Sequence, residues 1–515
     1  MLETTGKLII QYRKALIGAG LALLVWFFVF LNLTGFPEPW FDEGSHLHVP
    51  KTLVKYGVYA DYSSDGFRYY GPTIGVGPTV MLPIAGMFKV FGIGLLQARI
   101  VVALYMVAAV YVFYKLVKDL SNGKLAFAAV ALLVSSRSIL FVTYGRQILG
   151  EVPGLFFLVL GLLLWFANWG NNNWKRLTLI GFLFGLAMIT KYQYLLFLAP
   201  TLILAWFLDI FYYKTTSHKN FLIPGIVAAV SFALWQAITL QFMGPATALE
   251  NLVLLRASAE GAAFNFDPAQ IARNFGALLA RSVYLWALFP AVIYGFFVSR
   301  PRTSEGQKWG VLYLLMTLNL AWFVIASIGW IRYAFLGLAV AGIFIARMFH
   351  DATGGFQFDF GGSLKGFFNS FFSGRNAFRW ALAAWLFLIV SMPMAKNMLE
   401  IAQGGSHDAE HMAAYLDANV PQDALIETWD PEMGFFSDHN FHYPPNALLA
   451  VAVEQIYAGG EPVSKQYTFV QDEKPDYILA GDFTKWVKVY SVDKLFGQYE
   501  WVATVGKYDL FERIK

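Results

Sequence analysis

The sequence predicts a polytopic α-helical membrane protein of about eleven transmembrane helices, followed by a small C-terminal α/β soluble domain. Three observations carry this reading. Of 515 residues 57% are hydrophobic and only 14% are charged, with a mean hydropathy of +0.52, where a soluble chain carries roughly 25% charged residues. Apolar runs near the length of a spanning helix, roughly 20 residues, recur from residue 15 to residue 397. Beyond residue 398 the composition shifts to Asp, Glu, Pro and Tyr.

Taken in order, the expected spans are 15–34, 97–116, 124–143, 153–169, 175–190, 193–213, 221–242, 280–299, 309–328, 331–349 and 377–397. The first run has no small-residue cleavage site after it and is read as a retained signal anchor. The apolar piece 74–95 carries Pro78, Pro83 and several glycines, so it reads as a re-entrant or interfacial segment. The runs 175–190 and 193–213 are nearly continuous, and their division is open. The Gly- and Phe-rich stretch 350–376 reads as an interfacial amphipathic loop. The expected organisation is thus a membrane domain, 1–398, containing a long first outside loop, 35–96, and a soluble α/β domain, 399–515. In the latter, "HDAEHMAAYLDANV" has a helical pattern, while "ALIETW", "PDYILA" and "EWVATVGKYDLFER" read as strands.

Loop charges orient the chain. Lys and Arg concentrate in cytoplasmic loops. Lys7, Arg13 and Lys14 precede the first span. Lys115, Lys118 and Lys124, then Lys175 and Arg176, Lys214 and Lys219, Arg300, Arg302 and Lys308, and Arg347, Lys365, Arg375 and Arg379 mark alternate loops on the same side. This predicts a multi-pass cell-membrane protein with a cytoplasmic N-terminus and an extracytoplasmic C-terminal domain. A net charge of +4 argues against a nucleic-acid partner. With no cysteine, disulfides and thiolate catalysis are excluded.

Ionisable residues gather on the opposite, outer side. The first outside loop holds Asp42, Glu43, His46, His48 and Arg68, and Arg99 opens the span after it. Glu151 follows in "YGRQILGEVPGLFF", Lys191 stands alone in "GLAMITKYQYLLF", and Arg332 stands alone in "SIGWIRYAFLG". A charge at a helix centre costs about 2.5–3.5 kcal/mol to insert, so such residues generally face a cavity or a partner. For Lys191 or Arg332 singly, snorkelling to a headgroup is an equal alternative. Several cations behind water-edge carboxylates suit a ligand with a phosphate and a reacting hydroxyl or amine. Asp42 and Glu43 are adjacent, so they do not share a helix face; one can be a base while the other structures the loop. The plain alternative makes Asp42 a helix N-cap, slightly favoured on spacing alone. His46, His48 and Asp42 leave a divalent metal open, although two histidines two apart do not share a helix face. "HDAEH" matches an H-x-x-E-H zinc spacing, but short motifs match by chance, and a solvated helix start is favoured.

Together these stretches resemble the GT-C glycosyltransferases, in the branch of the protein O-mannosyltransferases and the lipid A aminoarabinose transferase. "WFDEGSHLHVPKTLVKYG" resembles that branch's first outside loop, an Asp-Glu pair before a short interfacial helix. "GPTVMLPIAGMFKVFGIGLLQARIVVAL" is similar to its Pro-rich segment and following Arg. "YGRQILGEVPGLFFLVLGLLL", "GFLFGLAMITKYQYLLFLAP" and "IRYAFLGLAVAGIFIA" resemble its second acidic turn, its Lys-terminated span and its Arg-Tyr span. The resemblance spans about residues 1–350 and implies a hexosyl- or pentosyltransferase. Its donor is a polyprenyl-phosphate sugar, its acceptor a lipid, glycan or protein, and it inverts the anomeric carbon on the extracytoplasmic face without a required cofactor. It implies Asp42 as base with Glu43 beside it, and Glu151 as an acceptor-orienting group. Arg99, Lys191 and Arg332 are implied at the lipid phosphate, with Arg68 and Arg256 behind them; His46 in the first outside loop is a further candidate substrate contact. The second acid is Glu where the family more often has Asp, and the loop 243–279 matches nothing in the family. A transporter or flippase using the same charges is the alternative; it calls for two related halves with matching broken helices, which the sequence does not display. A membrane-anchored assembly protein leaves the intramembrane cations unexplained.

Overall fold

The computed structural model describes residues 15, 18–69, 75–281, 283–357, 374–491, 495 and 497–514. Lys7, Arg13, Lys14 and most of the expected 350–376 loop lie outside them. The chain is a multi-pass membrane protein built on a helical bundle. Among the described residues six helices are long and apolar enough to cross a bilayer, and several shorter apolar helices accompany them.

Helix α1 (Gly18–Val29) presents Leu21, Leu23 and Leu24 outward. α2 (Phe41–Tyr56) forms where a short helix was expected, and it ends where Gly57 takes φ +72°, a left-handed C-cap that glycine adopts without strain. A hairpin follows, β1 (Asp61–Ser63) with β2 (Gly66–Arg68). The 74–95 segment contains α3 (Pro78–Phe91), a 14-residue helix too short to span and started by Pro78 in its first turn. α4 (Leu95–Leu120) is a full span.

The expected span 124–143 is broken. α5 (Gly123–Ser135) stops after 13 residues, and the chain turns through Leu140, φ +53°, before a single helical turn at Phe141–Tyr144. Polar Ser135, Ser136 and Arg137 interrupt the apolar run there. α6 (Glu151–Ala167), α7 (Trp174–Thr190) and α8 (Gln193–Leu208) follow, so the division left open falls at Lys191 and Tyr192. α9 (Lys219–Met243) is a span. The unplaced loop 243–279 folds as two helices, α10 (Pro245–Ala262) and α11 (Pro268–Ala280), each with Pro in its first turn. α12 (Leu288–Ser299), α13 (Ser304–Ala326), α14 (Phe335–Ala352) and α15 (Gly374–Gln403) complete the bundle.

The tail has its own core. α16 (Asp408–Asn419) places Met412 and Leu416 against Ile426 of β3 (Leu425–Thr428), Leu479 of β5 (Tyr477–Ala480) and Leu510 of β7 (Tyr508–Arg513). The five-stranded sheet has the order β4-β3-β5-β7-β6, with β4 (Asn440–His442), β3 and β5 parallel and the β6 (Tyr499–Val505)–β7 hairpin antiparallel. β4, only three residues long, and the helix α17 (Leu448–Ala458) have no counterpart in the sequence reading. The boundary expected at 398/399 falls inside α15.

The tail is docked on the first outside loop. Gly44 lies so close to the turn at Glu432 that a Cβ there would sit 2.3 Å from the Glu432 nitrogen. Buried Lys51 donates to the carbonyls of Gly434, Phe435 and Ser437 at 2.7, 3.0 and 3.1 Å. Ser64 N of the hairpin donates to Phe441 O at 2.8 Å, beside the edge strand β4.

Candidate active site

Helix ends, not helix centres, carry the charged side chains. The N-cap of α2 is Trp40, extended at φ −144°, and no side chain caps this end. Asp42 therefore lies inside the first turn, and the capping alternative is replaced: its carboxylate bonds Nη1 of Arg332. Glu151 is the first residue of α6. Lys191 is extended (φ −154°, ψ 123°) in the break between α7 and α8, and its ammonium meets Glu151 Oε1. Arg332 lies in the 3-10 turn Ile331–Ala334 ahead of α14. Its Nε bonds Glu151 Oε1, and its Nη2 reaches Oε2 at 3.3 Å.

The α7–α8 break is a built feature. Gly77 N donates to Thr190 O at 3.0 Å, and the hydroxyls of Thr79 and Thr190 lie 2.6 Å apart. A side chain at Gly77 would collide with Ile189 O at 1.9 Å, so only glycine brings α3 this close. The start of α3 thus satisfies a backbone carbonyl, that of Thr190, which the break frees inside the bundle.

Four charges make a compact cluster, Lys191 and Arg332 with Asp42 and Glu151, and their signs balance. Access is graded: the side chains of Glu151, Arg332, Lys191 and Asp42 are 2%, 4%, 12% and 25% exposed. Asp42 is therefore the carboxylate that a ligand meets first. Trp40, Tyr144 and Trp330 surround the Arg332 guanidinium, with ring centroids 5.8, 5.5 and 5.2 Å away, a cation–π arrangement that strengthens on desolvation.

Asp42, Lys191 and Arg332 face a cavity of about 350 Å³ between bundle and tail. The bundle side adds Ser45, His46 and Gln193; the tail side is Leu449, Val453, Ile456 and Tyr457 of α17 with Phe483 and Trp486. His46 Nδ1 lies 2.7 Å from the Ile148 carbonyl, so it donates there as an N–H. Burial pushes the His46 pKa down to about 4, so the ring is neutral and its other nitrogen is an acceptor.

The other expected site residues are placed elsewhere. Arg99 donates to both oxygens of Glu43, at 2.9 and 2.5 Å, with both side chains fully buried. Its remaining donor meets Leu33 O at 2.7 Å, and Ile148 N donates to Glu43 at 3.2 Å. Glu43 and Arg99 are thus spent on each other beside the site, and neither lines the cavity. Arg68 is bound to Asp61 and packs on the Tyr443 ring at 4.9 Å. Arg256 is exposed and pairs along its own helix with Glu260 at 2.8 Å. His407 pairs with Glu410 at 2.8 Å on an exposed helix start, and among the described residues no group of three or more acidic or histidine side chains is arranged for a metal ion. Arg146, an ionisable residue of the second outside turn to which the sequence assigned no role, donates from its guanidinium to Phe28 O, Leu31 O and Phe36 O at 2.8, 2.5 and 2.9 Å, holding the turn after α1. Sequence reasoning missed the wall from α17; the apolar run "ALLAVAVEQIYA" in a polar tail was the available signal.

Residues 76–239 match the family model described as dolichyl-phosphate-mannose-protein mannosyltransferase. Among curated proteins no relative matches the chain. Among solved structures the chain is similar to ArnT from Cupriavidus metallidurans bound to undecaprenyl phosphate, at 13% identity and a TM-score of 0.61 over 98% of each chain. It is also similar to the archaeal oligosaccharyltransferase AglB from Archaeoglobus fulgidus in complex with an inhibitory peptide and a dolichol-phosphate, at 12% identity and a TM-score of 0.58 over 98% of this chain and 75% of that one. The chain has the fold of the GT-C glycosyltransferases.

Proposed function

We propose that the protein is a glycosyltransferase that moves a hexose or pentose from a polyprenyl-phosphate carrier to a lipid, glycan or protein acceptor on the extracytoplasmic face. The observation that carries this reading is the Asp42–Arg332–Glu151–Lys191 cluster on a cavity wall at the helix ends. The acceptor hydroxyl or amine attacks the anomeric carbon and forms the new bond. The bond from that carbon to the phosphate oxygen breaks with inversion, and the acceptor proton passes to Asp42, the accessible carboxylate. Lys191 and Arg332 stabilise the charge that develops on the departing phosphate. Glu151 holds the two cations in register, and the apolar α17 wall faces the acceptor. The match to a mannosyltransferase family and the undecaprenyl phosphate in the ArnT structure support this donor class.

The orientation follows from the basic loops. Arg347 donates to Ser121 at 3.2 Å, Lys124 to Gly355 O at 3.3 Å, and Tyr212 to Arg300 O at 2.7 Å, so positive loops adjoin one another in space. This supports a cytoplasmic side opposite the cavity. Protease added to intact cells is expected to remove the tail; a tail protected until the membrane is broken would refute the orientation. The activity is tested with purified protein and radiolabelled hexosyl- and pentosyl-phosphate polyprenols. Consumption of a donor with release of polyprenyl phosphate is expected, and folded protein that consumes none of them sinks the reading.

A further inference from the structure

A second cavity, of about 210 Å³, lies between the C-terminal half of α2 and the 434–443 segment of the tail. That is room for about seven waters. The crevice is lined by α2 residues from His48 to Tyr56, so it runs from roughly 9 to 20 Å along the axis from Asp42, and the two cavities share no lining residue.

The crevice's charged groups are already spent. Lys51 is held by three carbonyls and by Asp438 at 2.8 Å, and Lys55 lies 2.6 Å from the same carboxylate. Both ring nitrogens of His48 face acceptors, Asp61 and the Pro431 carbonyl, each at 2.6 Å. What remains free is neutral. The amides of Gln422 and Asn440 and the phenol hydroxyls of Tyr56 and Tyr62 line the crevice and make no hydrogen bond to any described residue. Tyr56 and Tyr62 are 51% and 42% exposed, with ring centroids 5.0 Å apart, and Phe67 packs beside both at 5.9 and 5.5 Å.

Exposed aromatic rings beside unspent amides and hydroxyls, with every nearby charge neutralised, fit one ligand chemistry. A sugar ring has an apolar C–H face that covers an aromatic ring and a rim of hydroxyls that both donate and accept, as amides and phenols do. An anion has no free cation here. A cation finds only Asp438, which two lysines hold. We propose that this crevice is a binding site for an uncharged sugar unit of a glycan, separate from the reaction centre.

The inference does not depend on Asp42 being a base, so the two are tested apart. Full-length protein in a detergent without a sugar headgroup is applied to an array of neutral gluco-, manno-, galacto- and arabino-oligosaccharides, with sialylated and phosphorylated glycans alongside. The proteins are wild type, Tyr56→Ala/Tyr62→Ala, Gln422→Ala/Asn440→Ala and Asp42→Asn. Wild type and Asp42→Asn are expected to retain neutral glycans, and each double variant to lose about tenfold or more in affinity. If the aromatic pair fails to fold, the amide pair decides, since Gln422 and Asn440 are exposed. No neutral glycan retained, retention equal in all variants, or retention of charged glycans alone would overturn the proposal.

Discussion

Replacing Asp42 by asparagine tests the base with the smallest change of shape. If Asp42 takes the acceptor proton as the new bond forms, the loss is that of general-base catalysis, about 10²–10⁴-fold in turnover, or ~3–5 kcal/mol of barrier. The structure adds a second expectation. The Asp42 carboxylate bonds Nη1 of Arg332, whose other donors go to Glu151. Asparagine still offers an oxygen to Nη1, so the guanidinium keeps its place but loses one of two anions. An anionic donor headgroup then meets less competition for Arg332. A unit charge pair about 4 Å apart is worth about 4 kcal/mol at an effective dielectric of 20, and a site open to water on the Asp42 side recovers only part of that. Donor affinity is therefore expected to hold or tighten while turnover collapses. Single-turnover transfer from a radiolabelled donor gives the rate, and equilibrium binding of the same donor gives the affinity. Turnover near wild type would show that the base lies elsewhere. A loss of donor binding as large as the loss of rate would make Asp42 an organiser of the phosphate site.

Glu43→Gln leaves Arg99 buried without a charged partner, which costs roughly 3–5 kcal/mol. The expected result is a lowered melting temperature with a near-normal single-turnover rate in the folded fraction; a 100-fold slower enzyme of unchanged stability would refute this. Lys191→Met is expected to weaken donor binding and slow transfer with Glu151 still held by Arg332, and unchanged donor affinity would make Lys191 a structural partner of Glu151 only. Burial, reinforced by neighbouring Asp430, pushes the Glu432 carboxyl well above its ordinary value of about 4.3. The folded state therefore holds this proton more tightly than the unfolded state, so stability falls as pH rises above about 4.3 through the raised folded value. Melting temperatures between pH 5 and 8.5 are expected to decline, and Glu432→Gln to flatten that decline; a variant that keeps the full slope locates the pH dependence elsewhere.

The fold was legible wherever one physical rule dominated. Bilayer thickness sets span length, so α4, α8, α9 and α13 fall near their expected places. Failures occur where local apolarity and tertiary need conflict. The run 124–143 is apolar enough to span, yet the bundle breaks it at Ser136. The two helices of 245–280 escaped notice because Glu250, Arg256, Glu260, Asp267 and Arg273 interrupt the segment, so no apolar run of spanning length stands out in it. At the site, lone charges in apolar runs pointed to Lys191 and Arg332, since desolvation makes such residues costly unless paired. The same logic flagged Arg99 equally, and no single-sequence signal says that Arg99 closes on Glu43 while Arg332 reaches Asp42. Spacing cannot distinguish a buried structural pair from a functional one, because the difference is which partner lies across the bundle.

The pairing of Arg332 has a consequence for how charge moves. Before transfer, Lys191 and Arg332 balance Asp42 and Glu151, and a polyprenyl-phosphate sugar brings one negative charge as a phosphodiester. On the proposed path the sugar leaves and the phosphate gains a second charge, while Asp42 takes the acceptor proton and loses its own. The negative charge passes from a carboxylate that touches Arg332 to an oxygen expected beside the same guanidinium. Arg332 need not move, since its Nε and Nη2 stay on Glu151 and its ring of Trp40, Tyr144 and Trp330 holds it in place. A fixed cation around which charge is handed over lowers the reorganisation that water would demand, which is the main way enzymes stabilise developing charge. The role of Glu151 then follows from geometry. It is the least exposed of the four charged groups and binds both cations, and on the proposed path it keeps them aimed at the place where the second phosphate charge appears.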